Sequence, residues 1–226
     1  GVVAAHARLF AEARGDYLYA GAADDIRLPG FFQHAMQMAE QFPQAGLIFG
    51  SMAMVDEAGR RLGVVSASRW REPLYAEPAR FLDEYLLAEP PLHSPCAATI
   101  YRRDALMEVG AYRAELGSFS DTFAFRAIGL KYGACYVPDE VVQFRRVPGS
   151  FSQQSNAQPK RLLDLLARAE HLMRSAEFAD RFPAAYVERW GRASRWQVIW
   201  NDFLGPESDA KRRPSFVVRN VRRLGR

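Results

Sequence analysis

The sequence predicts an α/β layer structure: a sheet flanked by helices, followed by a mostly helical extension. Short apolar runs suited to buried strands alternate with stretches of helical periodicity along residues 1–155. Residues 156–226 carry almost only helical patterns and end in a basic tail. At 226 residues the chain is long enough for one large domain or for one domain with an appendage. We therefore expect two units, 1–155 and 156–226.

Five apolar runs predict the strands, because each is short and is bounded by residues that favour turns. Asp56-Glu57-Ala58-Gly59 predicts a turn after the second strand. The stretch 66–75 has an irregular pattern, so we expect a connecting segment there. The predicted strands are 17–20, 46–50 with its continuation 52–55, 97–101, 134–137 and 141–144.

Helical periodicity and end signals predict the helices. Pro29-Gly30 opens one helix, which closes near Pro43. Gly110 and Gly133 are predicted to end two others. The clearest amphipathic pattern lies in the extension. The predicted helices are 3–14, the segment that closes near Pro43, 78–87, 103–109, 122–132, 159–175 and 184–200.

Composition argues against several classes of protein. No run of about 18 apolar residues is present, so the sequence predicts no transmembrane helix. Cys96 and Cys135 are the only cysteines, and neither they nor the four histidines have the spacing of a zinc site or a disulfide framework. A reducing, cytoplasmic setting is therefore expected.

The positive charge of the chain is concentrated in its tail. Residues 211–226 hold one Lys and six Arg with no acid, so the tail carries +7 although the whole chain carries only +4. As a basic amphipathic helix this tail would suit an anionic membrane surface. The alternative is a disordered, solvated end. Because the tail lacks interleaved aromatic residues and any nucleic-acid motif, we expect no nucleic-acid partner.

Three segments follow one another in an order and spacing that carry a resemblance. The first, 13–29, contains a strand that leads to Ala22-Ala23-Asp24-Asp25 and then to a helix. The second, 98–112, is a strand with a short helix, and the third covers 120–138 and 143–152. In these segments, which together span about the first 155 residues, the chain resembles the family 2 glycosyltransferases.

This resemblance implies a GT-A fold, a Rossmann-like sheet that binds nucleotide-diphospho-sugars. It implies transfer of a sugar, with inversion, from such a donor to a hydroxyl of a glycan or of a lipid-linked acceptor. In the family an earlier stretch forms the first strands and binds the nucleotide base. Nothing in this sequence matches that stretch, so the resemblance implies a chain that lacks the amino-terminal nucleotide-binding strands.

By resemblance, Asp24 is the metal-contacting acid, Asp25 is its neighbour, and the cofactor is a divalent cation, Mn²⁺ or Mg²⁺. Carboxylates can hold a hard cation that neutralises a diphosphate leaving group. Carboxylates at the carboxyl end of a parallel strand also face the ligand crevice of an open α/β sheet. The alternative from the residues alone is that Asp24-Asp25 caps the helix that follows.

Inverting transfer needs a base that takes the proton of the acceptor hydroxyl, and Asp121 stands where the family places this acid. Its alternative role is an N-cap of the next helix. Arg145 and Arg146 are candidates for the donor phosphates, the alternative being two ordinary surface arginines. His93 is a candidate for acceptor contact or an ordinary loop histidine.

Two positions depart from the family pattern. The family commonly has Asp where Ala22 stands, and often His where Val147 stands, and neither residue here can ligate a metal. We therefore expect a weakly held cation. The run from Gln143 to Val147 lacks the Trp of processive synthases, which favours a non-processive enzyme. The alternative function is a catalytically inactive protein that binds sugar nucleotides.

Overall fold

The computed structural model describes residues 1–66, 69–89, 94–151, 154 and 158–204. It is a mixed α/β structure in which helices flank a curled, half-barrel sheet, and its carboxyl-terminal part is helical. This confirms the predicted fold class. Within these residues no helix is both long enough and apolar enough to cross a membrane.

Seven strands and seven α-helices make up the described structure. The strands are β1 (Tyr17–Tyr19), β2 (Ile26–Arg27), β3 (Leu47–Val55), β4 (Arg61–Ser66), β5 (Leu74–Ala76), β6 (Thr99–Arg102) and β7 (Ala134–Arg145). The helices are α1 (Val2–Glu12), α2 (Phe31–Gln41), α3 (Pro78–Arg80), α4 (Arg103–Glu108), α5 (Ser120–Tyr132), α6 (Pro159–Met173) and α7 (Ala184–Leu204). A π-helical segment continues α3 over Phe81–Leu86, and 3₁₀ turns cover Cys96–Ala98 and Ala114–Phe119.

The strands form one sheet in the order β1-β6-β3-β7-β2, with β4 paired to β3 and β5 paired to β7. Among the described pairs only β3 and β7 run parallel. β3 is buried on both faces: Phe49 packs into a large cluster with α4, α5 and α7, while Ile48 packs into a smaller cluster with α2. A central strand that is buried on both faces reads as a nearly continuous apolar run, which is why the sequence predicts it well.

The last two predicted strands are a single strand, β7, and this prediction of a break was wrong. The two predicted strands, 134–137 and 141–144, flank Pro138, which cannot donate to a strand ladder. In the structure the register with β3 shifts after the pair of Gly50 and Val137, so Pro138 and Asp139 bulge out of the ladder. Gly50 permits the close approach, since a Cβ at this position would lie 2.6 Å from a Val141 methyl.

The helical extension packs on the same core as the sheet domain. Phe123 of α5 lies edge-on to Phe178 at 5.0 Å and stacks on Phe182 at 5.5 Å, and both partners follow α6. Tyr186 and Val187 of α7 belong to the same buried cluster. The extension is therefore held to α5 by aromatic packing, close to the site described next.

A polar cluster also fixes the extension. Glu108 at the end of α4 accepts hydrogen bonds from Lys131, Tyr132 and Arg181. Burial opposes ionisation of Glu108, but the two hydrogen bonds from α5 and the Arg181 charge outweigh it and lower the Glu108 pKa to about 2. Three segments that are distant in sequence are thus joined at one carboxylate.

Candidate active site

The acidic loop, which we define as Gly21–Asp25, connects β1 to β2. Asp25 is only 6% exposed, and its Oδ1 accepts the backbone N–H of Arg145 at 2.9 Å. Asp24 is exposed, and its backbone carbonyl accepts a hydrogen bond from Arg145 Nε at 3.0 Å. The two neighbouring acids therefore differ in their surroundings: Asp25 anchors the loop, and the Asp24 side chain is open to solvent.

Neither acid caps the following helix, so the capping interpretation was wrong. Helix α2 starts after Gly30, which adopts a left-handed conformation with φ of 87°, and no side chain caps its first turn. Burial raises the pKa of Asp25, the Arg145 backbone N–H opposes this effect, and the Asp24 charge adds to it. Asp25 is thus a carboxylate whose charge the surroundings disfavour.

Gly21 leaves the space that the loop needs. A Cβ at Gly21 would lie 2.7 Å from the Tyr19 ring and 2.9 Å from Arg27 Nη1. Both groups would have to move for any larger residue. The glycine that precedes the acidic pair therefore lets Arg27 pack beside Tyr19, and Arg27 is a charged residue of this site that the sequence analysis did not single out.

The two predicted phosphate-binding arginines have different surroundings. Arg145 is half-buried, and besides Asp24 it bonds the backbone carbonyl of Glu57 through Nη1 at 2.7 Å, so it fastens the acidic loop to the β3–β4 turn. Arg146 is exposed and lines an open depression of about 370 Å³ beside Asp56, Glu57 and Arg60. Of the pair, Arg145 is thus tied into the candidate site by its contacts.

Asp121 is the second residue of α5 and is half-buried. Its Oδ1 accepts the backbone N–H of Thr122 at 2.5 Å, whereas the N-cap residue of the helix is Phe119 and makes no side-chain cap bond. The N-cap interpretation was therefore wrong as stated, although the carboxylate does lie in the first turn. Burial raises the Asp121 pKa despite the hydrogen bonds of Thr122 and the positive charge of Arg126. A carboxylate with a raised pKa is a better proton acceptor, as a general base requires.

Cys96 lies next to this acid. Its Sγ is 4.0 Å from Thr122 Oγ1, and burial together with the Asp121 charge raises the pKa of the Cys96 thiol well above its usual value. Burial and the Asp121 charge also raise the pKa of Tyr112. The acid therefore faces a thiol and a phenol that both stay neutral near pH 7.

A side-chain hydrogen bond joins the strand that leads into the acidic loop to the surroundings of Asp121. The Tyr19 hydroxyl, at the end of β1, donates to the Ala97 carbonyl at 2.9 Å, across 78 positions of sequence. Ala97 is the residue after Cys96, which lies beside Asp121. Asp25 in turn contributes to the raised pKa of Tyr19. Tyr19 thus lies between the acidic loop and the residues beside Asp121.

Two further predicted features, His93 and the 211–226 tail, lie outside the described residues. In the part of the chain that the structure describes, no three His, Cys, Asp or Glu side chains are grouped to hold a metal. Asp24 nevertheless fits one role for a cation. Mg²⁺ is often held by one or two carboxylates together with substrate phosphates, and Asp24 is an exposed carboxylate next to the well-anchored Asp25.

No protein-family model matches the chain, and no curated protein matches it. Among solved structures, the crystal structure of Staphylococcus aureus TarS 1–349 in complex with UDP-GlcNAc is similar. The TM-score is 0.62 at 14% sequence identity, and the match covers 91% of this chain and 56% of the TarS chain. This chain therefore spans little more than half of that chain's length. With the sheet and flanking helices described above, the likeness shows that the chain has a glycosyltransferase-like Rossmann fold.

Proposed function

We propose that this chain belongs to a glycosyltransferase that moves a sugar from a nucleotide-diphospho-sugar to a hydroxyl acceptor. The observation that carries the proposal is the Tyr19–Ala97 hydrogen bond, which joins the end of β1, just before the acidic loop, to the residue next to Cys96 and Asp121. A general base and a carboxylate for the diphosphate end must lie near each other for a direct transfer. The UDP-GlcNAc that TarS binds supports a sugar nucleotide as the donor.

In this proposal the transfer proceeds with inversion. The acceptor oxygen attacks the anomeric carbon from the face opposite the diphosphate, and the bond from that carbon to the diphosphate oxygen breaks with its electron pair. Asp121 takes the proton of the acceptor hydroxyl, to which its raised pKa is suited. The acceptor is a glycan or a lipid-linked sugar.

The remaining residues hold the donor end in this proposal. Asp24 would contact a divalent cation, Mn²⁺ or Mg²⁺, which when bound neutralises the charge that develops on the leaving diphosphate. Arg145 keeps the acidic loop in place through its bonds to Asp24 and Glu57. Because Ala22 and Val147 offer no ligand atoms, the cation would be held chiefly by the diphosphate itself.

The same two residues favour a second function, a protein that binds sugar nucleotides without turning them over. A cation that only one protein carboxylate holds is weakly bound. Turnover of the sugar nucleotide depends on this cation more than binding of the sugar nucleotide does. Measurements of both properties on the same sample decide between the two functions.

We predict that Mn²⁺ increases binding of at least one sugar nucleotide and that slow hydrolysis of this donor accompanies binding. The reason is that Asp24 would hold the cation, which would neutralise the charge of the diphosphate. Isothermal titration calorimetry with UDP-, GDP- and dTDP-sugars, with and without Mn²⁺, measures binding, and release of the nucleoside diphosphate measures hydrolysis.

A matched pair of variants controls this experiment. Asp24→Asn should lose the Mn²⁺ effect, while Asp164→Asn, an exposed acid on α6, should keep it. Binding without hydrolysis would favour the inactive alternative. Failure to bind any of the nucleotides, with or without the cation, would contradict both functions.

We also propose that residues 211–226 contact an anionic membrane and so bring the site to a lipid-linked acceptor. The end of α7 supports this idea, because Trp196 is 63% exposed and Ile199, one helical turn away, is 52% exposed. The seven basic residues 211–226 come shortly after this apolar face in the sequence. Apolar and cationic groups in succession are typical of interfacial segments.

We predict that the chain sediments with phosphatidylglycerol vesicles and that binding weakens as salt rises, because the attraction is screened. Vesicles of phosphatidylcholine should sediment much less protein. Deletion of residues 211–226 should abolish the difference in sedimented protein between the two kinds of vesicle. Equal sedimentation of the full and shortened chains with anionic vesicles would exclude the membrane contact.

A further inference from the structure

Arg126 is a buried cation that forms no ion pair within the described residues. It is 8% exposed and lies inside α5, where every residue from Phe123 to Leu130 is buried. Its Nε is fully buried and has no hydrogen-bond partner among the described atoms. A charge that is removed from water without a counter-charge is costly. Such a residue needs a compensating reason to be there, and its neighbours indicate one.

Helix α7 holds the Arg126 guanidinium in place. The guanidinium carbon lies 5.4 Å from the centre of the Trp190 ring, a cation–π arrangement. The Tyr186 hydroxyl is beside it as well: burial raises the pKa of Tyr186, and the Arg126 charge and hydrogen bond oppose this. Both aromatic residues belong to the helical extension.

Thr122 links Arg126 to Asp121. Arg126 Nη1 donates to the Thr122 carbonyl at 3.2 Å, and the Thr122 backbone N–H donates to the Asp121 carboxylate. The Arg126 charge also stabilises ionised Asp121 against the effect of burial. The other titratable groups facing Asp121 are Cys96, Tyr101 and Tyr112, which are neutral near pH 7. Arg126 is the cation among these neighbours.

Helix α7 also contacts the residues that follow the π-helical segment. Arg189 Nη2 donates to the carbonyl of Leu87 at 3.1 Å and to the Glu89 carboxylate at 2.9 Å. Cys96, beside Asp121, follows Glu89 by seven positions in the sequence. One turn of α7 therefore contacts both the buried cation and residues 87–89.

We propose that Arg126 is a positioning residue that places a positive charge behind the Asp121 carboxylate, and that Tyr186 and Trp190 of α7 hold it there. The helical extension is then part of the active site. The inference rests on the proposed role of Asp121 as the general base. The inference goes beyond that role because it states that α5 and α7 together control the charge of Asp121.

The test is a direct titration of Asp121 in the full chain. Carboxyl ¹³C NMR with labelled aspartate follows the side chain, and the signal missing from Asp121→Asn assigns it. In Arg126→Gln the midpoint should move up by about one pH unit, since the cation is lost. Arg126→Lys keeps a charge and should stay near the wild-type midpoint. Trp190→Leu should give an intermediate displacement.

Arg181→Gln is the matched control. Arg181 is also largely buried and packs over Phe178 at 5.1 Å, but it pairs with Glu108 instead of lying near Asp121. Its removal should lower the melting temperature and leave the Asp121 midpoint unchanged. An unchanged midpoint in Arg126→Gln would overturn the proposal, as would an equal displacement in Arg181→Gln. If Arg126→Gln does not fold, Trp190→Leu decides in the same way.

This titration needs no substrate, so its outcome is independent of the proposed function. A displaced midpoint together with no turnover of any sugar nucleotide would support the positioning role and count against the transferase. Turnover of a sugar nucleotide together with an unchanged Asp121 midpoint in Arg126→Gln would support the transferase and overturn the positioning role of Arg126. Where turnover is measurable, the acid limb of its pH profile should move with the NMR midpoint in Arg126→Gln.

Discussion

Asp121→Asn is expected to lower sugar-nucleotide turnover by about 10²- to 10⁴-fold, the usual contribution of a general base. Asparagine has nearly the same shape, but it cannot accept the proton of an acceptor hydroxyl. Nucleotide binding should be unchanged, because Asp121 lies on α5, outside the acidic loop that holds the donor end in this proposal. Steady-state turnover and calorimetry on the same preparations measure the two effects.

The fold should survive this substitution. The Asn carbonyl can still accept the Thr122 N–H, and burial already disfavours the charge of Asp121. The melting temperature at pH 7 should therefore stay the same or rise slightly. Turnover within about threefold of wild type would remove Asp121 from the role of base, because a lost base costs far more.

The pH profile provides an independent check. Because its pKa is raised, Asp121 becomes protonated at a higher pH than an ordinary aspartate. Protonated Asp121 cannot act as a base, so turnover should fall as the pH drops through this raised pKa. The acid limb should thus lie above the usual aspartate range and should be absent from the residual activity of Asp121→Asn.

The sequence predicted the elements whose patterns come from burial. β3 and α5 are buried almost throughout, so their apolar runs stand out, and Gly133 with φ of 72° ends α5 as predicted. The two-residue strand β2 was missed, and so were β4 and β5. Leu62 and Val64 of β4 are exposed, and β5 has only three residues, so neither strand leaves a strong periodic signal.

The π-helical segment after α3 illustrates a different limit of prediction from sequence periodicity. A helix was predicted across 78–87, and the chain is helical there, but its hydrogen bonding changes at Phe81. Phe81 stacks on Tyr85 at 5.4 Å, and Phe81 packs so closely on Gly129 that a Cβ there would lie 2.3 Å from its ring. Such a change follows from contact with α5, which periodicity along one segment does not contain.

The candidate site was likewise predictable from the sequence only in part. The acidic loop and Asp121 could be singled out from residue types and order, but their connection depends on Tyr19 meeting Ala97, 78 positions away. Arg145 was predicted to bind phosphate, and this stays a prediction; its side chain also donates to the backbone carbonyls of Asp24 and Glu57, which the sequence did not indicate. Arg126 left a usable signal, a single charge inside an apolar helical run, because a buried cation must have partners elsewhere in the fold.

Substitutions of the two neighbouring acids of the loop are expected to change different properties, metal-dependent activity for Asp24 and stability for Asp25. Asp24→Asn changes an exposed side chain, so the free energy of unfolding should stay within about 0.5 kcal/mol of wild type. Its Mn²⁺-dependent turnover should fall at least about tenfold, as expected when a carboxylate ligand is lost. Asp25→Ala should instead lower the free energy of unfolding by about 1–3 kcal/mol, because it leaves the Arg145 N–H without its partner.

Asp25→Asn distinguishes the hydrogen bond from the charge. Its amide oxygen can still accept the Arg145 N–H, and it removes a charge that burial disfavours. A carboxyl whose pKa is raised by folding makes the native state less stable as the pH rises from the ordinary value, 3.8, through the raised one. Asp25→Asn should therefore equal wild type below about pH 3.8 and be as stable or more stable at pH 7. Urea unfolding of the three variants between pH 3.5 and about 8 measures this, and an equal loss of stability in Asp25→Asn and Asp25→Ala at pH 7 would show that the charge itself holds the loop.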